Sequence, residues 1–96
     1  MKVSVITTSY NSGHTIKDTL VSVATQDYGN IEHIIIDGGS RDNTMDVISR
    51  FPHVKVVVSE SDSGIFHAMN KGLERCTGDI ICFLNSDDWY HTNEVI

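Results

Sequence analysis

The segment Ile34-Ile-Ile-Asp-Gly-Gly-Ser-Arg-Asp-Asn-Thr44 is the most informative for the fold, because a continuous apolar run ends abruptly in a carboxylate and two glycines. Three consecutive isoleucines favour a strand that is buried on both faces. Glycine and polar residues directly after such a run indicate a loop. Asp42 or Asn43 then offers a suitable N-cap for a helix. The segment therefore predicts the strand, loop and helix of an α/β fold.

The same alternation of apolar patterns recurs on both sides of this segment. Four short runs rich in Val and Ile predict strands at Val3–Thr7, Ile31–Ile36, Val54–Val58 and Asp79–Leu84. Apolar residues at helical spacing predict three helices, over Ile16–Ala24, Thr44–Phe51 and Ile65–Leu73. Because strands that alternate with helices are joined by right-handed crossovers, the order predicts a parallel four-stranded sheet with helices on both faces.

Local features refine this prediction. Ser12 is the expected N-cap of the first helix, and Ser61 or Ser63 that of the third, while Pro52 is expected to close the second. The fourth strand is as continuously apolar as the second, so we expect both to be buried on both faces.

Composition limits the classes of function. The chain has 96 residues, which suffice for one domain, and 13 acidic against 7 basic residues give a net charge of −6. Such a charge disfavours binding to nucleic acid or to an anionic membrane surface. The longest apolar run, Ile80–Leu84, is far shorter than the roughly 18 residues of a membrane span, and no export leader is expected. Cys76 and Cys82 are expected to be reduced and buried.

Polar residues follow all four predicted strands. In open parallel sheets, ligands bind outside the carboxyl ends of the strands, where loops and helix N-termini meet. Any one polar loop would be ordinary for a surface. Their concurrence at one edge of the sheet predicts a ligand site, formed by the segments 7–11, 37–42, 59–62 and 85–88.

The residue types at this edge suggest the chemistry. The adjacent carboxylates Asp87 and Asp88 repel each other unless a hard divalent cation such as Mg²⁺ or Mn²⁺ lies beside them, and that cation could also hold a diphosphate. Alternatively, the two carboxylates only cap the segment. Asp37 could accept a hydrogen bond from a base or only form a turn, and Tyr10 could stack on a base or only pack. The five histidines form no metal-binding spacing, so no metal is assigned to them.

Nucleotide sites of two common kinds are disfavoured. The chain has no Gly-x-Gly-x-x-Gly after the first strand and no Gly-x-x-x-x-Gly-Lys-Ser/Thr, which argues against a dinucleotide oxidoreductase and a P-loop hydrolase. A metal-dependent nucleotidyltransferase remains an alternative, although residues 7–13 contain no Lys or Arg for a phosphate loop. A non-catalytic nucleotide-binding or interaction module remains a second alternative.

Four segments in order resemble the family 2 glycosyltransferases: Val3–Asn11, Ile34–Thr44, Asp62–Gly72 and Gly78–Trp89. The resemblance covers nearly the whole chain. It implies the N-terminal, nucleotide-sugar-binding half of the Rossmann-like GT-A fold, with residues 1–96 forming that part and the acceptor half absent.

The resemblance also implies roles for individual residues. The first position of the family's DXD element is Ser86 here, and Asp88 is implied as the ligand of Mn²⁺ or Mg²⁺. Asp37 is implied to contact uracil. The implied nucleotide-binding residues are Thr8, Tyr10, Asn11, Asp37, Asp62 and Asp87.

For the whole protein, the resemblance implies metal-dependent, inverting transfer of a sugar from a nucleotide sugar to an acceptor hydroxyl, with a UDP-sugar as the expected donor. The acceptor would be a glycan or a lipid-linked sugar in bacterial cell-envelope or secreted polysaccharide synthesis. The general base would lie beyond Ile96, so no catalytic residue is expected in the chain. A cytoplasmic location is implied, with peripheral association of the whole protein at the inner face of the membrane. Self-association is expected through an exposed sheet edge or through the apolar residues of the segment 89–96.

Overall fold

The computed structural model of the chain describes residues 1–27, 29–61 and 64–86. Seven elements alternate along these residues. They are β1 (Val3–Ser9), α1 (Ile16–Ala24), β2 (Ile31–Asp37), α2 (Thr44–Ile48), β3 (Val54–Ser59), α3 (Ile65–Arg75) and β4 (Ile80–Phe83). The predicted order of elements is confirmed.

The four strands form one parallel sheet in the order β3-β2-β1-β4. The chain builds the sheet outward from β1 through β2 to β3, and then returns to place β4 on the other side of β1. This reversal between β1 and β4 is a topological switch point, where the connections diverge and leave a crevice at the carboxyl edge.

Strand alternation divides the core between the two faces of the sheet. Ile35 packs with α1 and α2, in a cluster that includes Leu20 and Val47. The neighbouring Ile34 and Ile36 point the other way and pack with Ala68 of α3 and with Ile6. The prediction of a sheet covered by helices on both faces is thus confirmed.

Burial of the fourth strand differs from the prediction. β2 is buried on both faces, as expected, but Ile80, Ile81 and Phe83 of β4 are 43%, 41% and 44% exposed. Among the described strands β4 pairs only with β1, so it is an edge strand, and the helices cover the central strands instead. The apolar run alone cannot distinguish an edge strand from a central one.

The two cysteines are also less buried than predicted. Cys76 and Cys82 are free thiols of intermediate exposure. Cys76 follows α3 and packs at the margin of the α3 cluster, and Cys82 lies on the edge strand β4. Their positions at the rim of the core explain why neither is fully covered.

The N-caps expected for the first and third helices are wrong. Thr15, not Ser12, is the N-cap of α1, although the Ser12 carbonyl accepts hydrogen bonds from the N–H groups of Thr15 and Ile16 at 3.0 and 2.8 Å. The N-cap of α3 is Gly64, with a φ of 116° that favours glycine. Ser61 does not cap α3, and Ser63 lies outside the described residues.

The second helix is shorter than its apolar pattern predicts. It begins after Asn43, one of the two expected caps, and ends at Ile48 rather than at Pro52. Phe51 lies beyond the helix and still packs against the cluster around Ile35. A turn after the helix therefore keeps this apolar side chain in the core.

Candidate functional site

A cleft of about 760 Å³ opens at the carboxyl edge of the sheet, beside the switch point between β1 and β4. Its walls come from the loop after β1, the start of α1, the start of α3 and the end of β4. The lining residues are Thr8, Ser9, Tyr10, Ser12, His14, Thr15, Gly38, Ser61, Gly64, Ala68, Asn85 and Ser86. The predicted ligand edge is therefore a cleft, located at the switch point.

The loop after β1 carries three of the predicted site residues. Thr8 and Tyr10 line the cleft, and Tyr10 is 60% exposed, so its ring offers an accessible aromatic face. Asn11 has a φ of 49°, and its Oδ1 accepts a hydrogen bond from the N–H of Arg41 at 2.8 Å. Its own N–H donates to Ser40 Oγ at 2.7 Å. Asn11 thus joins the loop after β1 to the loop after β2.

Asp37 is fully buried at the end of β2, behind the cleft wall. Its Oδ1 accepts hydrogen bonds from the hydroxyls of Ser9 at 2.7 Å and Ser40 at 2.6 Å. Its Oδ2 accepts from the N–H groups of Gly39 and Ser40, at 3.1 and 2.7 Å, and from the Ser59 hydroxyl at 2.9 Å. Five donors therefore surround one carboxylate.

Ionisation of Asp37 follows from these contacts. Burial opposes the charge, but the hydrogen bonds from Ser40, Ser9 and Ser59 outweigh it and lower the pKa of the carboxyl below its ordinary value. The charged carboxylate holds together the ends of β1, β2 and β3. Gly38, which follows it directly, lines the cleft.

The β4 side of the cleft is held by backbone and hydroxyl contacts. The Ser86 N–H donates to the Thr8 carbonyl at 3.2 Å, and Thr8 Oγ1 donates to Asn85 Oδ1 at 3.3 Å. Thr19 Oγ1 of α1 donates to the Ser86 carbonyl at 3.1 Å. Asp87, predicted to bind the nucleotide, and Asp88, predicted to bind the metal, follow Ser86 in sequence and lie outside the described residues.

The loop between β3 and α3 is held by a buried lysine. Lys71 Nζ of α3 donates to the Ser61 carbonyl at 3.2 Å and lies 3.1 Å from Glu60 Oε1. The lysine is 8% exposed, so its charge is compensated by these two neighbours. Ser61 lines the cleft, while the predicted residue Asp62 comes next in sequence and lies outside the described residues.

Several residues of the cleft were not predicted as site residues from the sequence. His14 and Thr15 reach the cleft because a turn at 13–15 separates β1 from α1. Gly38 and Gly64 line it through their backbones. The polar residues that follow the first strand could have indicated that His14 and Thr15 lie at the site. The positions of glycines in the sequence do not show which of them line a cleft.

The described lining of the cleft contains no Asp, Glu, Lys or Arg. Within residues 1–27, 29–61 and 64–86, no group of three or more His, Cys, Asp or Glu side chains could hold a metal ion. The polar groups that this lining offers to a ligand are therefore hydroxyls, one amide, the imidazole of His14 and backbone groups. No helix in the described part of the chain is long and apolar enough to cross a membrane.

A parallel α/β sheet with a hydroxyl-rich cleft at its switch point defines an α/β protein with a ligand-sized cleft at the carboxyl edge of its strands. The sequence model of glycosyl transferase family 2 matches residues 4–95. The chain belongs to this glycosyltransferase family, and its fold is that of the GT-A glycosyltransferases.

Three similar proteins illustrate the match. The chain is 37% identical over 95 residues to the Escherichia coli UDP-Glc:alpha-D-GlcNAc-diphosphoundecaprenol beta-1,3-glucosyltransferase WfgD, a match that covers 97% of this chain and 38% of that protein. It superposes on S. aureus TarS 1–349 in complex with UDP with a TM-score of 0.88 and 31% identity, covering 98% of this chain and 29% of that one. The mannosyltransferase PcManGT from Pyrobaculum calidifontis, in complex with GDP-Man and Mn²⁺, gives a TM-score of 0.88 and 28% identity, covering 96% and 29%.

The chain spans little more than a third of the length of the curated relative and less of the solved structures. Both of these solved structures hold a nucleotide or a nucleotide sugar, and the PcManGT structure also holds Mn²⁺.

Proposed function

We propose that the chain supplies the nucleotide-sugar-binding part of an enzyme that transfers a sugar from a UDP-sugar to an acceptor hydroxyl. The observation that carries this proposal is the cleft at the switch point between β1 and β4, in a chain of glycosyl transferase family 2. UDP is the proposed nucleotide because TarS and WfgD are named with UDP or a UDP-sugar.

The base would bind on the β1 side of the cleft. Tyr10 would stack on it through the exposed face of its ring, and Thr8 would offer a polar group beside it. Asn11 would contribute by holding the Tyr10 loop to the loop after β2. Direct contact between Asp37 and a ring N–H would require the carboxylate to release one of its five donors. The network instead supports a contribution through the loop that it holds, in which Gly38 lines the cleft.

The diphosphate would bind on the β4 side, where Ser86 lines the wall and is followed by Asp87 and Asp88. Carboxylate oxygens are the ligands that Mg²⁺ and Mn²⁺ prefer, so the donor set fits a divalent cation, which Asp88 would hold. Asp87 would contact the nucleotide-sugar region, and Asp62 would line the nucleotide pocket. When bound, the cation would neutralise the charge of the departing nucleoside diphosphate.

Transfer is proposed to invert the anomeric centre. The cleft residues would hold the donor so that an acceptor hydroxyl can attack in line, and a general base of the whole protein would remove the proton of that hydroxyl. A lipid-linked or glycan acceptor in cell-envelope polysaccharide synthesis is proposed because WfgD is named for a diphosphoundecaprenol-linked substrate. Such an acceptor would bring the protein to the cytoplasmic face of the membrane.

Calorimetric titration of the protein with UDP, in Mn²⁺ and in EDTA, tests donor binding. We expect an affinity on the order of 0.1 to 1 mM in Mn²⁺ if the 96 residues alone form the site, and weaker binding in EDTA. Asp88→Asn should abolish the effect of Mn²⁺, whereas Asp46→Asn on the exposed side of α2 changes the charge equally and should not. Equal affinity in Mn²⁺ and EDTA would contradict the metal site, and no binding would contradict the function.

Asp37→Ala tests the base side separately. We expect weaker UDP binding in both Mn²⁺ and EDTA, because loss of the carboxylate frees the loop at Gly38 and Ser40. Circular dichroism should establish that the variant is folded before it is titrated. An unchanged UDP affinity in a folded variant would show that Asp37 contributes nothing to base binding.

A further inference from the structure

Ser86 stands at the first position of the DXD element, where the motif has a carboxylate, and its side chain is not free to reach a ligand. Only 8% of the residue is exposed. Its Oγ lies 2.7 Å from the Oγ of Ser12, which is 9% exposed and belongs to the turn before α1. The two hydroxyls form a buried contact between segments 74 residues apart.

The direction of this hydrogen bond depends on where Ser12 donates its hydrogen. Ser12 Oγ donates to the Tyr10 carbonyl at 3.2 Å, which uses its single hydrogen. Either hydroxyl can donate in the contact between Ser12 and Ser86, and Ser86 is the donor when Ser12 donates to Tyr10. A chain of two hydrogen bonds then runs from Ser86 through Ser12 to the backbone of Tyr10.

The backbone of Ser86 is held as firmly as its side chain. Its N–H donates to the Thr8 carbonyl, and its carbonyl accepts from Thr19 Oγ1, a side chain with no exposed surface. Every polar group of Ser86 thus bonds to β1, to α1 or to the segment between them. The next residue in the chain is Asp87.

We propose that Ser86 is a positioning residue, which ties the segment carrying Asp87 and Asp88 to the Tyr10 loop so that the diphosphate and base sides of the cleft are held in one geometry. The inference rests on the proposed function of donor binding.

An aspartate at position 86 would supply only acceptors when ionised. Ser12 could then donate to the new carboxylate or to the Tyr10 carbonyl, but not to both. The burial of the site would also penalise the charge. Ser86→Asp is therefore expected to weaken cation-dependent binding, although it restores the acidic pattern of the motif.

The test measures how much Mn²⁺ increases the affinity of the protein for UDP, by calorimetry in Mn²⁺ and in EDTA. Ser86→Ala should reduce this increase by about fivefold, the effect of one net hydrogen bond. Ser12→Ala removes the same hydrogen bond and should cause a similar loss. The double variant should lose no more than either single variant, because both act on one contact.

Ser22→Ala is the matched control. Ser22 is 8% exposed, like Ser86, and its hydroxyl donates to a backbone carbonyl of α1 at 2.8 Å, but it does not line the cleft. The Mn²⁺ effect should be unchanged in this variant. Urea unfolding of all variants separates a loss of stability from a loss of cation dependence.

The outcomes separate this inference from the function on which it rests. Failure of the unmodified protein to bind UDP would overturn both. A Mn²⁺ effect that survives in Ser86→Ala, or that increases in Ser86→Asp, would overturn the inference alone. Additive losses in the Ser12 and Ser86 variants would show that the two hydroxyls act separately, which would also overturn it.

Discussion

At the scale of single residues, His33 is the most unusual group outside the cleft. It lies on β2 with no exposed surface, and its Nε2 is 2.8 Å from Thr7 Oγ1. Its Nδ1 is 3.0 Å from Nε2 of His53, which follows α2. Burial, and then the nearby charge of His53, lower the pKa of His33 to about 3. The folded protein therefore keeps His33 neutral at pH values where a free histidine is charged.

This pKa predicts a loss of stability on mild acidification. Below its ordinary pKa of 6.5, His33 binds a proton in the unfolded chain but not in the folded one until about pH 3. The free energy of unfolding should therefore fall as the pH decreases through this window, by about 2 kcal/mol from pH 7 to pH 5. Urea unfolding at pH 7, 6 and 5 measures it.

The matched control for this prediction is His14→Gln, since His14 is exposed on the turn before α1. That variant should keep the pH dependence, whereas His33→Asn should lose most of it. If the free energy of unfolding changes with pH equally in His33→Asn and in the unmodified protein, the effect arises from other groups. Asp37 and Glu32, whose pKa values are also lowered, lose their contribution only at more acidic pH, below their ordinary values.

At the scale of elements, α3 approaches the sheet closely at one glycine. A Cβ atom built on Gly72 would lie 2.5 Å from Ile6 Cγ2 and 3.2 Å from Ile6 Cδ1. Glycine inside a helix usually costs stability relative to alanine. Here it lets the helix backbone contact β1 directly, and this close packing brings the start of α3 to the cleft.

Gly72→Ala should therefore destabilise the protein, by about 1 to 3 kcal/mol as an overpacked core position. Ile6→Ala removes the clashing atoms, so the double variant should be more stable than the sum of the two single effects predicts. Gly29→Ala is the control, because nothing lies within 4 Å of a Cβ there. Unfolding in urea measures all four. A stable Gly72→Ala would mean that α3 can move away from β1 at little cost.

At the scale of the whole molecule, the sheet leaves β4 at one edge with apolar side chains partly exposed. An edge strand offers unpaired backbone groups, and proteins usually protect such edges with charges or a covering segment. The described part of β4 carries none of the charged side chains that would oppose pairing. A second copy of the chain is one partner that could cover this edge.

We predict concentration-dependent self-association through β4. Sedimentation velocity over a range of concentrations should show a monomer that converts to larger species. Ile81→Lys should shift the equilibrium to the monomer by placing a charge on the edge, whereas Val57→Lys, at a 40% exposed position on the opposite edge strand β3, should not. A single monomeric species at every concentration would rule out association through β4.

Local sequence patterns were enough to predict the alternation of elements, the parallel sheet and the edge at which the cleft opens. The isoleucine run before Asp37 is one such pattern, because apolar periodicity and chain-breaking residues act over a few positions. The right-handed crossover rule then places the carboxyl ends of all strands together. Tyr10 and Thr8 could therefore be predicted at the site without a structure.

The contacts across the sheet, in contrast, depend on the tertiary structure. Strand order makes β4 an edge strand, and it also brings Ser86 against Ser12, His33 against His53, and Ser9 and Ser59 against Asp37. These partners are far apart in the chain, so no local period encodes their pairing. The physical reason is that hydrogen bonds between distant side chains depend on the register and order of the strands, which form only when the whole core packs.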